Sequence, residues 1–515
     1  MRKISLSLVA LVLLTLSVGI LLQAQDSDEP IYGGTLEVAF QNDWESLDPQ
    51  VTSSYSSLQI MNNVLETLTT FDADQNLVPS LATSWEQSED GLTWTFNLRE
   101  GVMFSNGREM TADDVVFTYE RFLDPEGGFS GNASNIGPEG TVIEAVDTYT
   151  VAITHPEPIA IAPILLGLNK ATGIIAEESV ADDGSIQIPV GTGPFMIAEV
   201  DGTSFIRLEK NPNYWQDGVP YLDAVEIQPI PDDTVRETAL RGGEVDWVLA
   251  IAPQSYDSLV ADEDIFVETA PQLSYDYFGL NTNREPFSDP RVRQAMAYAI
   301  DRDQICQAAF FGLCEALYGG PIGSGSPWQF DYEPYADAPD LDRARELLAE
   351  AGYEDGFEMT WMPNSQVGET TRAAQVLQAQ LSQIGITSDI IAPEWAEWLE
   401  LQGGGDYDAF ICSWNALKDA DQYYYLQHRT GLVFNFTGFS DEEFDSLVDA
   451  GRGVSDFDER YAIYEEANQI LTDSAHYVYM YNKLEIRAYD DSVNGFVTRS
   501  DQANDFWTVW LSDAE

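Results

Sequence analysis

The sequence predicts an α/β protein of more than one lobe, and three observations carry that prediction. At 515 residues the chain exceeds what a single hydrophobic core usually supports. With 44% apolar and 12% aromatic residues it has the material for real cores and is no disordered acidic tail. Up to about Pro271 it reads as short strands broken by Gly and Pro, whereas from Tyr275 onward strands alternate with amphipathic helices.

The elements follow in order. Arg2 and Lys3 precede an apolar run from Leu6 to Leu22, and Ala24 supplies the small residue that cleavage requires. Residues 1–24 therefore read as a secretory signal peptide, with an uncleaved anchor as the alternative. No cysteine follows the run, so a lipid anchor is not indicated, and no later segment is apolar enough to span a bilayer. Thr35 to Phe40 alternates as a strand and runs into the polar segment from Asn42 to Pro49. Leu92, Trp94, Phe96 and Leu98 alternate after the hairpin signal Asp90-Gly91. Thr111 to Asp114 opens a helix by capping-box logic, with Val115, Tyr119 and Phe122 on one side. Gly191 to Phe195, GTGPF, is a tight turn; no dinucleotide or P-loop pattern is completed there. Asp289-Pro290 supplies an N-cap and a proline at the first helical position. Leu341 to Ala351 and Thr370 to Ile384 are amphipathic helices closed by Gly352 and Gly385. Ser440 with Glu443 makes another capping box, and Asp456 to Thr472 a longer helix.

The formal charge of −63 is spread along the chain, and five lysines and nineteen arginines face 87 acidic residues. Phosphates would be repelled, so nucleic acid is excluded as a partner. Acidity everywhere fits adaptation of a whole surface to a salty medium better than attraction of a cationic ligand to one cleft. Export permits disulfides, and Cys306 and Cys314, eight positions apart, are spaced for a bridge between a helix end and the following turn. Cys412 reads as a buried, inert thiol. The three histidines, His155, His428 and His476, are far apart and read as surface or packing residues. Zinc-protease, hydrolase-elbow and P-loop motifs are absent, and Asp72 to Asn76 begins like a calcium loop but lacks its glycine and its bidentate glutamate. A paired-carboxylate hydrolase stays open on composition alone. No catalytic residue, cofactor or metal is expected. Asp406 to Phe436 is the most informative stretch: a short apolar strand delivers Trp414 to its end, followed by carboxylates and three consecutive tyrosines, the makings of a small-molecule cleft.

Pro79 to Val116, with GTGPF, NPNYW at Asn211 to Trp215, GLNTNREPFSDPRVRQAMAYAIDR at Gly279 to Arg302 and FTGFSDEEFDSLVDAGR at Phe436 to Arg452, resembles in the same order the family 5 extracellular solute-binding proteins of ABC importers. The resemblance runs from about Tyr32 to the end. It implies a bilobed periplasmic-binding-protein-like α/β fold (type II, cluster C) with an extra α+β domain inserted in the first lobe. Lobe one would comprise residues 31–60, 187–276 and 482–515, the inserted domain 61–186, and lobe two 277–481. It implies a monomer, periplasmic or extracellular, that closes by a hinge on a small ligand and hands it to membrane permease subunits. The implied ligand is a peptide first, with an oligosaccharide or opine as alternatives and nickel last, for want of a histidine cluster. The site residues carried over are Asn42, Trp44, Tyr275, Tyr277, Asn364, Trp414, Asp419, Tyr424 and Asn435. Core packing remains open for Trp44 and for one of Tyr275 and Tyr277. So do an exposed turn for Asn364, a turn cap for Asp419 and backbone support for Asn435. Many peptide binders of the family place an ammonium-binding Asp three residues after the Trp; here Leu417 stands there. A charge-assisted bond of that kind is worth roughly 1.5–3 kcal/mol.

Overall fold

The computed structural model describes residues 29–512 except 126, 128, 130, 365–367, 415 and 416, so the expected signal segment 1–24 lies outside the described residues. Its frame is a twelve-stranded sheet among the described residues, organised on one long strand, Tyr477–Asp490. The first half of that strand pairs with Tyr275–Leu280 and the second half with Ile265–Pro271, both antiparallel. Beyond Tyr275–Leu280 lie Ala409–Trp414, Phe357–Pro363 and Ile386–Ile390. On the other flank Trp247–Val248, Thr35–Phe40, Ala224–Pro229, Phe205–Lys210 and Phe195–Asp201 follow in that order. The chain thus crosses between two halves twice, at Gln272–Ser274 and in the middle of the long strand.

Each half has its own core. In the second, Phe278, Met296, Leu347, Trp361 and Leu377 fill one side of the sheet, and Tyr275, Tyr277, Trp398, Tyr424 and Tyr464 the other. Leu36, Val38, Phe40, Val225 and Trp247 anchor the first. A four-stranded antiparallel sheet, Ala82–Gln87, Thr93–Leu98, Val142–Asp147 and Thr150–Thr154, packs with the helix Ala112–Leu123 around a separate cluster including Phe96, Val115 and Tyr119. The expected capping box is formed by Thr111 and Asp114. The GTGPF turn lies so close to the Asn63–Val64 backbone that a Cβ on Gly193 would meet the Val64 carbonyl carbon at 2.6 Å.

Two local expectations shift. The cap before Glu442–Arg452 is Asp441, whose carboxylate accepts from the Phe444 amide at 2.9 Å, rather than Ser440. A carboxylate at this position also complements the helix dipole, which a serine does not. The helix expected from Thr370 begins at Gly368 and ends at Ser382. Cys306, in Arg302–Phe310, is bonded to Cys314, which opens a short strand pairing with the long one.

In the first half, Glu37 lies opposite Glu226 on the neighbouring strand, and its amide donates to Asp246 at 2.8 Å. Burial first, then Glu226 and Asp246, raise the Glu37 carboxyl from 4.5 to about 7, partly offset by Arg207. Because the native value exceeds the unfolded one, the fold holds a proton there that the unfolded chain releases. This group therefore favours folding increasingly as pH falls from 7 toward 4.5. Glu37→Gln is expected to raise the melting temperature at pH 8 and to flatten its dependence between pH 7 and 5, measured by calorimetry at fixed salt.

Candidate functional site

Strands of both halves end toward the junction between them. Ala409–Trp414 brings Trp414 there, half-buried, stacked at 6.4 Å on Phe436 and edge-on to Phe434 at 5.4 Å. Phe434 is 41% exposed and its neighbour Val433 79%. Among the described residues, Trp414, Phe434 and Phe436 thus form an aromatic wall left partly open. Asn364, half-buried at the end of the adjacent strand, donates its amide to the Ile411 carbonyl at 3.1 Å.

Tyr55, the first residue of the helix Tyr55–Met61, belongs to the first half. It is 42% exposed, yet burial raises its hydroxyl above the usual tyrosine range. Its hydroxyl meets the Arg487 guanidinium at 3.2 Å; Arg487 also donates to Asn504 at 2.9 Å and pairs with Glu485. Gln272 and Gln502 donate to the same Glu485, at 2.7 and 2.8 Å. Lys483 pairs with Asp276 at 3.2 Å. A polar ladder thus runs along the middle of the long strand. Beside it a cavity of about 240 Å³ is lined from the first half by Ile251 and Pro253, and from the second by Phe310, Leu313 and Glu369.

Contacts bridge the halves directly. Lys418 pairs with Asp501 at 2.9 Å, both buried, and the Leu417 amide donates to the Leu273 carbonyl at 3.0 Å. Burial would raise the Asp501 carboxyl, but Lys418 and Arg499 overcome it and hold the group below the carboxylate range. The Ala160 amide, from the region of the four-stranded domain, donates to the Arg452 carbonyl at 3.2 Å. These contacts tie the two halves together in this structure.

The expected site residues divide. Trp414 and Asn364 border the junction, and Asn42 is exposed in the loop after the first strand. Trp44 is packed into the first core at 7% exposure. Tyr275 and Tyr277 are fully buried: Tyr275 donates to Gln427, and Tyr277 stacks on Tyr477 at 3.8 Å. Tyr424 is fully buried with its hydroxyl on Asn468 at 3.0 Å. Asn435 donates to the carbonyls of His428 and Phe439 and accepts from the Phe439 amide, so it holds its own loop. Asp419 caps Ala420–His428, and both its oxygens meet Arg460, at 2.6 and 2.8 Å, inside the second half. With its charge satisfied there, it has little left to offer a ligand ammonium. Tyr55, Phe434, Phe436, Lys418 and Arg487 were not singled out for this site. The first four stand in loops or at a helix start, where periodicity says nothing about facing. His428 and His476 meet at 3.0 Å in the core, and burial lowers His428 to about 3. Cys412 is a free thiol that burial raises to about 12.

The family model for bacterial extracellular solute-binding proteins, family 5 (middle), matches residues 76–432. The glutathione-binding protein GsiB of Salmonella typhi is 28% identical over 471 residues, 89% of this chain and 91% of that protein. The periplasmic binding protein DppA from Helicobacter pylori, solved with the peptide STSA, superposes with a TM-score of 0.77 at 30% identity, covering 94% of this chain and 99% of that one. AgaA from A. tumefaciens R10, solved with agropinic acid, gives 0.74 at 28% identity, covering 93% and 99%.

Asp419→Ala would strand the buried Arg460 guanidinium. A loss of about 3–5 kcal/mol in unfolding free energy is expected, read by urea titration. Wild-type-like stability would contradict the ion-pair role.

Proposed function

The chain belongs to the family 5 bacterial extracellular solute-binding proteins, and we propose that within that family it captures a peptide or peptide-like solute outside the cytoplasmic membrane and presents it to the permease of an ABC importer. The observation that carries this reading is the half-exposed aromatic wall of Trp414, Phe434 and Phe436 at a junction crossed twice by the chain. A relative named for glutathione and a solved structure holding the peptide STSA support a peptide or peptide-like solute, and one holding agropinic acid keeps an opine open.

Closure is the proposed working step. Ligand shifts the open–closed balance only by what it gains in the closed form over the open one. Lys418–Asp501 and the Leu417 amide already favour closure, so a solute need add only part of the total. The ligand-binding residues proposed are Trp414, Tyr55, Asn364 and Asn42. The exposed strand ends would hold the solute main chain by hydrogen bonds, with side chains in wet pockets. Leu417 in place of the ammonium-binding Asp favours a solute whose amino end is conjugated or turned away. The protein works as a monomeric carrier and performs no covalent step. Its lobes are proposed as 31–60 with 187–276 and 482–515 for the first, 61–186 for the inserted domain, and 277–481 for the second.

The test is a melting-temperature screen of full-length mature protein against a di- to tetrapeptide pool, glutathione, an opine and xylo-oligosaccharides. Peptides or glutathione are expected to raise the transition, and a response to oligosaccharides alone sinks the peptide assignment. In Trp414→Ala, the affinity for the responding solute should fall about tenfold or more, as stacking surface worth roughly 1.5 kcal/mol is lost. Titration calorimetry reads this, with urea unfolding as the control for the fold.

A further inference from the structure

A second cavity, of about 400 Å³, shares no residue with the aromatic wall. It lies where the hairpin Thr69–Pro79 and Lys170 face the loop at Tyr214–Gln216 and the C-terminal segment from Val497 to Thr508. Its volume falls within the range of small-molecule sites.

Its polar groups are unequally served. Glu66, on the floor, accepts from the Trp215 ring nitrogen at 3.0 Å and from the Thr192 hydroxyl at 2.8 Å, and burial raises its carboxyl toward the neutral form. Arg499 is taken up by Asp501 at 2.8 Å, Asp505 at 3.1 Å and the Phe71 carbonyl at 2.8 Å. Lys170 differs. It lines the cavity half-buried, and among the described residues its ammonium makes neither a hydrogen bond nor an ion pair. Burial lowers its pKa, with Asp505 and Glu66 as only a partial, through-space offset and with Lys418 and Arg499 adding to the strain. An enclosed cation without a partner is costly. In a chain with 87 acidic residues and five lysines, the remaining lysines should be the easiest charges to pair. Phe71, Trp507, Val497 and Pro194 supply apolar wall beside it, in a lining that also carries Glu66, Asp72 and Asp505.

We propose that this cavity is a second ligand site, which accepts a small carboxylate with an aromatic or aliphatic body, the carboxylate on the Lys170 ammonium and the body against the apolar walls. Its lining residues are distinct from the aromatic wall, Phe71 reaches the Lys418 ammonium of the inter-half bridge at 4.9 Å, and its ligand class does not depend on the solute proposed above.

The probes are benzoate and indole-3-acetate, with benzylamine as the cationic counterpart, added to the full mature protein at constant ionic strength and followed by melting temperature and titration calorimetry. Saturable binding of a carboxylate is expected, at least tenfold weaker in Lys170→Met and unchanged in Trp414→Ala. If Lys170→Met does not fold, Trp507→Ala serves instead, and a several-fold loss of carboxylate affinity is expected there. No saturable carboxylate binding, equal binding of benzylamine, retention in Lys170→Met or Trp507→Ala, or loss in Trp414→Ala would each overturn the proposal.

Discussion

The backbone of Tyr477–Asp490 is a constraint the whole molecule shares. One strand supplies hydrogen-bonding partners to both halves, holding Asp276 opposite Tyr481 on one side and Pro271 opposite Leu484 on the other. The partner strands, Ile265–Pro271 and Tyr275–Leu280, are themselves consecutive, so the two crossings lie side by side. Relative movement of the halves has to be absorbed within Gln272–Ser274 and around Asn482 and Lys483. A paired crossing of this kind bends far more easily than it shears, which restricts the halves to opening and closing about one line.

The side chains at the crossing suit that task. Gln272, Ser274, Asp276, Asn482, Lys483 and Glu485 bond to one another there, whereas tight aromatic and aliphatic clusters begin on either side. Polar partners can exchange for water as the angle changes. A packed apolar core cannot, because separating it leaves voids that cost dispersion energy. Rigid halves and a wettable hinge follow from this division of residue types.

Much of this was legible in the sequence. Alternation located Thr35–Phe40 and Thr93–Leu98, caps located the helices at Thr111 and Asp289, and the ordered family blocks implied two lobes with an insertion. The site was less legible, for a physical reason. An aromatic at a strand end serves equally as core or as wall, and only the tertiary neighbours decide. Tyr275, Tyr277 and Tyr424 went to the core, while Trp414 stayed half-open. Asp419 is answered by Arg460, 41 positions away, and no local pattern announces such a partner. Tyr55 was overlooked because its place depends on Arg487, hundreds of residues downstream.

The extreme acidity gives the few lysines a particular distribution. None of the four among the described residues is fully exposed: Lys210 reaches the Pro220 carbonyl, Lys418 and Lys483 sit at the junction, and Lys170 lines the second cavity. Two of these four primary amines, Lys418 and Lys483, therefore sit where the halves meet. Lys418 alone of these is buried, held in its ion pair out of reach of an acylating reagent. Labelling at Lys418 would count openings of the Lys418–Asp501 bridge, so amine chemistry reads the motion of this protein directly, without any introduced probe.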